Sequence, residues 1–399
     1  MAQNTTTLLK SCGGKIKVLA LTGIRSEYDL LFPLLNVLNQ DDDFELGIIV
    51  CGAHLTSLHD YSVRQIEQDG FLIVEKIENL LYSSSSVGKV KSAANLLQGI
   101  AQVLDRVSPD ILIVLGDREE AIIGALAGGY MSVPVVHLAG GDNTHPKGGN
   151  VDEEVRHATT KLSHIHLTMA EEHTRRIISL GEEQWRTFTV GSGGVDRLRM
   201  DQGLSFDELR AVLGSGVSSD YIVLIQHPLS SEQGQEEEQM RLILQACIAV
   251  GVNIFVGAPN SDPGFEDIIK VIKEFEKHPQ IYVYNNLPRK AFTSLLSHAK
   301  CLAGNSSLGL HEAPYLGLPA VNIGERQKER IASNNMQFVP VDYDAIMAAV
   351  NKAVKDKDYR NGVDRGKTAY GDGFMAEKTL TILKELPGKK RLLAKKITY

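Results

Sequence analysis

The chain has 399 residues, with 42 Lys plus Arg against 49 Asp plus Glu, a net charge of −7 and 43% hydrophobic residues. That length suits two domains, each able to bury a core, and the acidic balance argues against a phosphate-tracking nucleic-acid surface. Four scattered cysteines (Cys12, Cys51, Cys247, Cys301) form no CxxC pair, which disfavours a disulfide framework or a cysteine zinc site and fits a reducing compartment.

Residues 1–14 are polar, without the apolar core of a signal peptide, and no apolar run reaches the ~18–20 residues of a membrane span. A cytoplasmic protein with neither membrane nor nucleic-acid partner is expected. Val-, Ile- and Leu-rich runs at 16–21, 44–50, 111–115, 133–138, 164–168 and 187–190 predict one series of strands. A second series falls at 221–225, 252–256, 280–284, 301–303 and 319–323. Lacking strict alternation, these runs read as strands covered on both faces. Amphipathic spacing between them predicts helices over 90–104, 119–130, 153–162, 236–250 and 265–275. Such alternation means α/β domains with parallel sheets. The stretch 83–86 reads as a flexible loop, and the Gly/Ser-rich 213–220 (LGSGVSSD) as the linker between the two series. The expected domains are 1–213 and 220–355, followed over 356–399 by helices and a basic tail (Lys389, Lys390, Arg391, Lys395, Lys396) that reads as a solvated terminus.

Unusual residues gather just past the carboxyl ends of the predicted strands. In the first series these are Gly23-Ile24-Arg25, Gly52-Ala53-His54, Gly116-Asp117-Arg118 and Gly140-Gly141-Asp142. In the second they are Gln226-His227-Pro228, Pro259-Asn260, Gly304-Asn305-Ser306-Ser307 and Gly324-Glu325-Arg326. Open α/β sheets bind ligands outside those ends. Turn punctuation accounts for the glycines, but not for Arg25, His54, Arg118, His227 and Arg326 all falling on one side. Two sheets facing one cleft across a hinge are therefore expected. Gly304 to Ser307 precede a helical stretch at 308–316; amides at a helix start, with two hydroxyls, suit a diphosphate, although an ordinary Ser cap has the same sequence. Glu312 follows at a spacing from which a carboxylate accepts hydrogen bonds from a ribose diol. Arg25 and Arg326 suit bidentate phosphate pairing.

Three motifs are discounted. The run 362–368 (GVDRGKT) has three residues between its glycines and follows a helix, so it is not a P-loop. Gly191-Ser192-Gly193-Gly194 does not complete a dinucleotide fingerprint. His164 and His166 share one strand face without a third ligand, so they read as structural, and no metal or cofactor is expected.

The ordered set Gly116-Asp117-Arg118-Glu119-Glu120, His137-Leu138-Ala139-Gly140-Gly141 and Asp152-Glu153-Glu154-Val155-Arg156-His157-Ala158 is distinctive. Lys161-Leu162-Ser163-His164, Gln226-His227-Pro228, Gly304-Asn305-Ser306-Ser307 and Asn322-Ile323-Gly324 extend it. From residue 15 to about 373 the chain resembles the hydrolysing UDP-N-acetylglucosamine 2-epimerases of sialic acid and related nonulosonate synthesis. The resemblance implies a glycosyltransferase-B-type pair of Rossmann-like domains, a nucleotide-sugar substrate and a homo-oligomer (dimer or tetramer). It further implies C1–O cleavage with loss of the C2 proton to a glycal and UDP, then hydration and reprotonation on the other face. Free N-acetylmannosamine is the product.

Carried over by position, Arg25, Arg118, His227, Asn260, Ser306, Ser307, Glu312 and Arg326 match the UDP-binding set, to which Gly304 and Arg156 are added. Asp117, His54, His137 and Asp152 match the catalytic pocket. The chemistry needs acid/base groups on opposite faces of the sugar ring; Asp117 and Asp152 are the candidates, with His137 or Asp142 completing the relay. Asp152 and Arg156, at i,i+4, also fit an ordinary surface pair. Two departures bear on the sugar: Ala139 stands where relatives often carry an acid, and the loop 142–150 (DNTHPKGGN) is longer than the family turn. They leave open a UDP- or GDP-linked 2,4-diacetamido-2,4,6-trideoxyglucose. A non-hydrolysing epimerase, a glycosyltransferase and a nucleotide-sugar sensor are compatible with the same architecture.

Overall fold

The computed structural model describes residues 14–57, 61–81, 83, 85–143, 151–201, 203–214, 218–260, 262–285, 287–366 and 368–398. Cys12, the centre of the expected linker (215–217), loop residues 144–150, Ser84 of the 83–86 loop and Lys367 of the discounted motif lie outside the described residues. The chain forms two compact units: one comprises residues up to Asp142, Val151–Arg197 and Gly373–Tyr399, the other Leu198–Asp372.

The first unit is built on seven strands: β1 (Ile16–Thr22), β2 (Phe44–Cys51), β3 (Ile73–Ile77), β4 (Ile111–Leu115), β5 (Val135–Leu138), β6 (Ile165–Thr168) and β7 (Thr187–Thr189). All pair in parallel, in the order β3-β2-β1-β4-β5-β6-β7. Side chains alternate across a strand, so β1 serves two cores. Ile16, Val18 and Ala20 pack with Leu31, Leu34, Leu35 and Leu38 of the Arg25–Gln40 helix. Leu19 and Leu21 pack with Leu96, Ile100 and Val103 of the Ser86–Val107 helix.

The second unit repeats the plan with β8 (Tyr221–Ile225), β9 (Asn253–Gly257), β10 (Ile281–Tyr284), β11 (Cys301–Gly304), β12 (Ala320–Ile323) and β13 (Met336–Val339), in the order β10-β9-β8-β11-β12-β13. Here Ile222 and Leu224 face Ile243, Leu244 and Val271, and Tyr221, Val223 and Ile225 face Leu295 and Leu296. Both sheets therefore have the doubly wound order, which reverses between β1 and β4 and again between β8 and β11. That reversal opens a crevice at the carboxyl ends of those strands.

Strands β3 and β13, both at sheet edges, lie outside the predicted runs because Glu75-Lys76 in one (IVEKI) and Gln337 in the other (MQFV) interrupt the apolar sequence. The helix expected at 308–316 is two short turns, Leu308–His311 and Ala313–Leu316, with Glu312 between them. Pro314 lacks the N–H that a continuous ladder needs there. The chain changes unit at Arg197/Leu198, not within 213–220, because the Phe206–Leu213 helix already buries Leu209 in the second unit's core beside Leu295 and Leu296.

The expected third segment, 356–399, is split: residues up to Asp372 stay with the second unit and those from Gly373 belong to the first, where Met375, Leu383, Leu386 and Leu392 enter the core. The basic tail is thus not a solvated terminus. Lys395 Nζ donates to the carbonyls of Thr160 (3.2 Å), Lys161 (2.7 Å) and Ser163 (2.6 Å). It thereby caps the end of the Val151–Leu162 helix, where carbonyls lack intrahelical partners. The fully buried Arg186 guanidinium donates to the carbonyls of Leu392 (2.8 Å) and Ala394 (3.1 Å). Among the described residues Cys51, Cys247 and Cys301 are buried free thiols, no cluster suits a metal, and no helix is long and apolar enough to cross a membrane.

Candidate functional site

Three loops of the first unit meet at its order reversal. After β1 the backbone turns at Gly23, whose N–H donates to Glu27 Oε2 at 2.8 Å. A Cβ on Gly23 would stand 2.0 Å from Glu120 Oε1, so only glycine lets that carboxyl rest against the strand end. Glu27 and Glu120 are both buried, and Arg118 Nε lies 4.0 and 3.6 Å from their oxygens. Burial, then repulsion by Glu120, pushes the Glu27 carboxyl well above the usual carboxylate range, and burial raises Glu120. Past β2, the buried His54 ring bonds Thr22 Oγ1 (3.0 Å) through Nε2 and Ser62 Oγ (2.8 Å) through Nδ1. Arg25, the first residue of its helix, is partly exposed, with Nε 4.0 Å from Asp29.

The Val151–Leu162 helix gathers the acids. Arg156, 4% exposed, pairs with Asp117 and with Glu153 (2.5 Å) and donates to the Asp142 carbonyl at 3.1 Å. A buried guanidinium with several carboxylate-side acceptors holds them in fixed geometry. The Asp142 carboxylate is buried, 3.4 Å from His173 Nε2. Asp152 is half-buried one turn before Arg156. Beneath this cluster His137, on β5, is fully buried with Nε2 2.8 Å from the Gly116 carbonyl and Nδ1 3.4 Å from Thr160 Oγ1. Burial pushes its pKa down to about 3.

In the second unit the loops are stitched by Asn305. Its side chain accepts from the His227 N–H and donates to the His227 carbonyl, both at 2.8 Å. Its own carbonyl accepts from Arg326 Nη1 (3.1 Å) and Gln327 Nε2 (2.8 Å). The Asn260 N–H donates to His227 Nδ1 at 2.9 Å, so the neutral ring carries its proton on Nε2. Burial, then Arg326, brings the His227 pKa down to about 3. Gly304 has φ +110°, and a Cβ there would lie 2.1 Å from the Ile225 carbonyl oxygen. Ser306 and Glu312 are buried, and Ser307 precedes the four-residue turn Leu308–His311 without capping it. So short a turn has little macrodipole; the expected helix-start anion site reduces to hydroxyls, amides and Arg326.

The structure therefore joins Asp117, Asp142, Arg156 and His137 in one group, sets Arg118 between two acids on the adjoining loop, and joins His227, Asn260, Gly304 and Arg326 in another. Glu27, Glu120, Glu153, Asn305 and Gln327 are additions to the predicted set. A signal for two of them was present: Arg25-Ser26-Glu27 and Arg118-Glu119-Glu120 repeat Arg-x-Glu at the start of the two helices that follow β1 and β4.

Two doubly wound parallel sheets with amides and cations collected at each order reversal define an α/β protein of the Rossmann-like build. The family model described as UDP-N-acetylglucosamine 2-epimerase matches residues 36–384, and the chain belongs to that family. It is 33% identical over 383 residues to the UDP-N,N'-diacetylbacillosamine 2-epimerase (hydrolyzing) of Legionella pneumophila, covering 96% of this chain and 99% of that one. It is 31% identical over 345 residues to polysialic acid biosynthesis protein P7 of Escherichia coli, covering 86% and 87%. In fold it is similar to the UDP-GlcNAc 2-epimerase of Neisseria meningitidis solved bound to UDP-GlcNAc, with TM-score 0.79, 17% identity and coverage of 92% and 99%.

Proposed function

We propose that the chain is a hydrolysing 2-epimerase that converts a UDP-linked 2-acetamido sugar, UDP-N-acetylglucosamine, to UDP and the free C2 epimer. The carrying observation is the Arg156 cluster, which holds Asp117 beside Glu153 and the Asp142 backbone at the carboxyl end of β4. Removing a C2 proton and returning one to the opposite face needs two acid/base groups on opposite sides of the sugar ring. Asp117 and Asp152, one on a βα turn and one on a helix, are assigned those roles, with Asp142 as the third acid. Departure of the diphosphate demands cations and donors where charge develops. Within the second unit, His227 Nε2–H, Ser306, Ser307 and Arg326 are assigned to it. Glu312 and Asn260 are assigned to the nucleoside side.

A second reading is favoured by the Legionella relative and by Ala139: a UDP-linked 2,4-diacetamido-2,4,6-trideoxyglucose with the same chemistry. Proton NMR of mixtures with each nucleotide sugar tests both. The expected products are UDP and a free manno-configured sugar. An intact epimerised nucleotide sugar would overturn the hydrolysing reading, and turnover of only the diacetamido substrate would select the second.

A further inference from the structure

Resting on the epimerase reading above, we propose that His137 is a positioning residue: a neutral ring, protonated on Nε2, that fixes the Gly116 carbonyl and through it the backbone presenting Asp117. A carbonyl oxygen only accepts, so the 2.8 Å contact from Nε2 to Gly116 O places the proton on Nε2. Nδ1 is then an acceptor, and the Thr160 hydroxyl at 3.4 Å is its donor. Both ring nitrogens are thus committed within the protein, and the ring is 0% exposed; neither nitrogen is left for a sugar carbon.

The bond's placement explains its use. Gly116 sits at φ +79°, and its N–H donates to the Leu138 carbonyl at 2.9 Å. The peptide that His137 holds is the one joining Gly116 to Asp117. Strand β5 therefore pins the turn on both sides, leaving Asp117 one well-defined departure point from which to reach Arg156. Thr160 and Arg156 lie one turn apart on the Val151–Leu162 helix, so the same helix supports His137 below and Asp117 above. Burial sets the neutrality of the ring: the Gly116 hydrogen bond and Asp117 favour a second proton, His166 across β5 and β6 and Arg156 on that helix disfavour it, and burial outweighs them all. Burial brings the pKa down to about 3, so the ring stays neutral at neutral pH and is not suited to give up a proton as a general acid.

The test uses the full chain labelled with ¹⁵N-histidine, the resonance of His137 being assigned by its loss in His137→Gln. The expected result is a neutral ring with its proton on Nε2 from pH 8 down to pH 5. A ring protonated on Nδ1, or charged at pH 7, overturns the proposal whatever the enzyme's substrate is. Turnover adds a second arm. Gln carries an amide nitrogen near the place of Nε2, whereas Leu orphans the Gly116 carbonyl. His137→Leu is expected to lower kcat about tenfold or more with KM little changed, and His137→Gln to recover most of that loss without moving the acid limb of the pH profile. If His137→Gln is as inactive as Asp117→Asn while His137 in the parent titrates on the acid limb, the ring is a proton carrier and the proposal fails. Absence of turnover in the parent would refute the epimerase reading alone, since the spectroscopic arm still stands.

Discussion

Gly304→Ala is the substitution with the most definite cost. The added Cβ would lie 2.1 Å from the carbonyl oxygen and 2.6 Å from the carbonyl carbon of Ile225, backbone atoms of the neighbouring central strand that no rotamer change can move. Ala at φ +110° carries a conformational penalty of about 1–2 kcal/mol. Relief of the clash separates β11 from β8, breaking the Asn305 N–H bond to Ile225 O at 3.1 Å. Leaving that buried carbonyl unsatisfied costs a further ~1–3 kcal/mol. The sum of about 2–5 kcal/mol is a large fraction of the roughly 5–15 kcal/mol that holds a typical domain folded. Asn305 moves with Gly304, so the two bonds that hold the His227 backbone are disturbed, and UDP affinity is expected to fall about tenfold or more. Urea unfolding and calorimetric titration with UDP measure the two effects. A variant that unfolds at the parent midpoint and binds UDP unchanged would refute the account of this loop.

Four further outcomes follow from named contacts. Asp117→Asn is expected to keep UDP binding and to lose kcat by about 10²-fold or more; near-normal turnover removes Asp117 from the chemistry. Ala139→Gly relieves a non-glycine residue at φ +61° and is expected to raise stability by about 0.5–1 kcal/mol, seen as a higher melting temperature. Lys395→Met strips the carbonyl caps and the Glu182 partner at 2.8 Å, and is expected to destabilise by about 2–4 kcal/mol, with faster amide exchange at the end of the Val151–Leu162 helix. Although burial alone would raise Glu182, hydrogen bonds from His166, Lys161 and Lys395 bring its pKa down to about 2. A depressed carboxylate contributes stability that is full above its unfolded value and lost as pH falls through its folded value. The stability gap between the parent and Glu182→Gln is therefore expected to be widest above about pH 4.5 and to close towards pH 2; a gap that persists at pH 2 contradicts this.

The sequence was legible where burial is complete and chain direction is local. The runs Ile111–Leu115 and Tyr221–Ile225, and the helices Glu119–Tyr130 and Phe265–Phe275, lie within the bounds that their apolar patterns predict. The edge strand Met336–Val339 lacks an uninterrupted apolar run, because Gln337 falls among residues that are all at least partly exposed. The tail misled for a different reason. Lysine and arginine beside a terminus ordinarily mean solvation, and nothing local tells that Lys395 meets carbonyls some 230 residues earlier. The loops at the strand ends were readable because the doubly wound order collects them. The partners within each loop were not: whether Asn305 faces a ligand or ties His227 depends on register between β8 and β11. His137 was assigned a place in the proton relay from its position, while its burial and both of its bonds come from tertiary packing.

The central claim is that a proton leaves and returns at C2 of the sugar, and deuterium measures it most directly. Turnover of the nucleotide sugar in D₂O, followed by NMR of the released sugar, is predicted to give deuterium at C2 in essentially every product molecule of the parent enzyme. A free manno-configured product that retains its original C2 hydrogen would contradict the account.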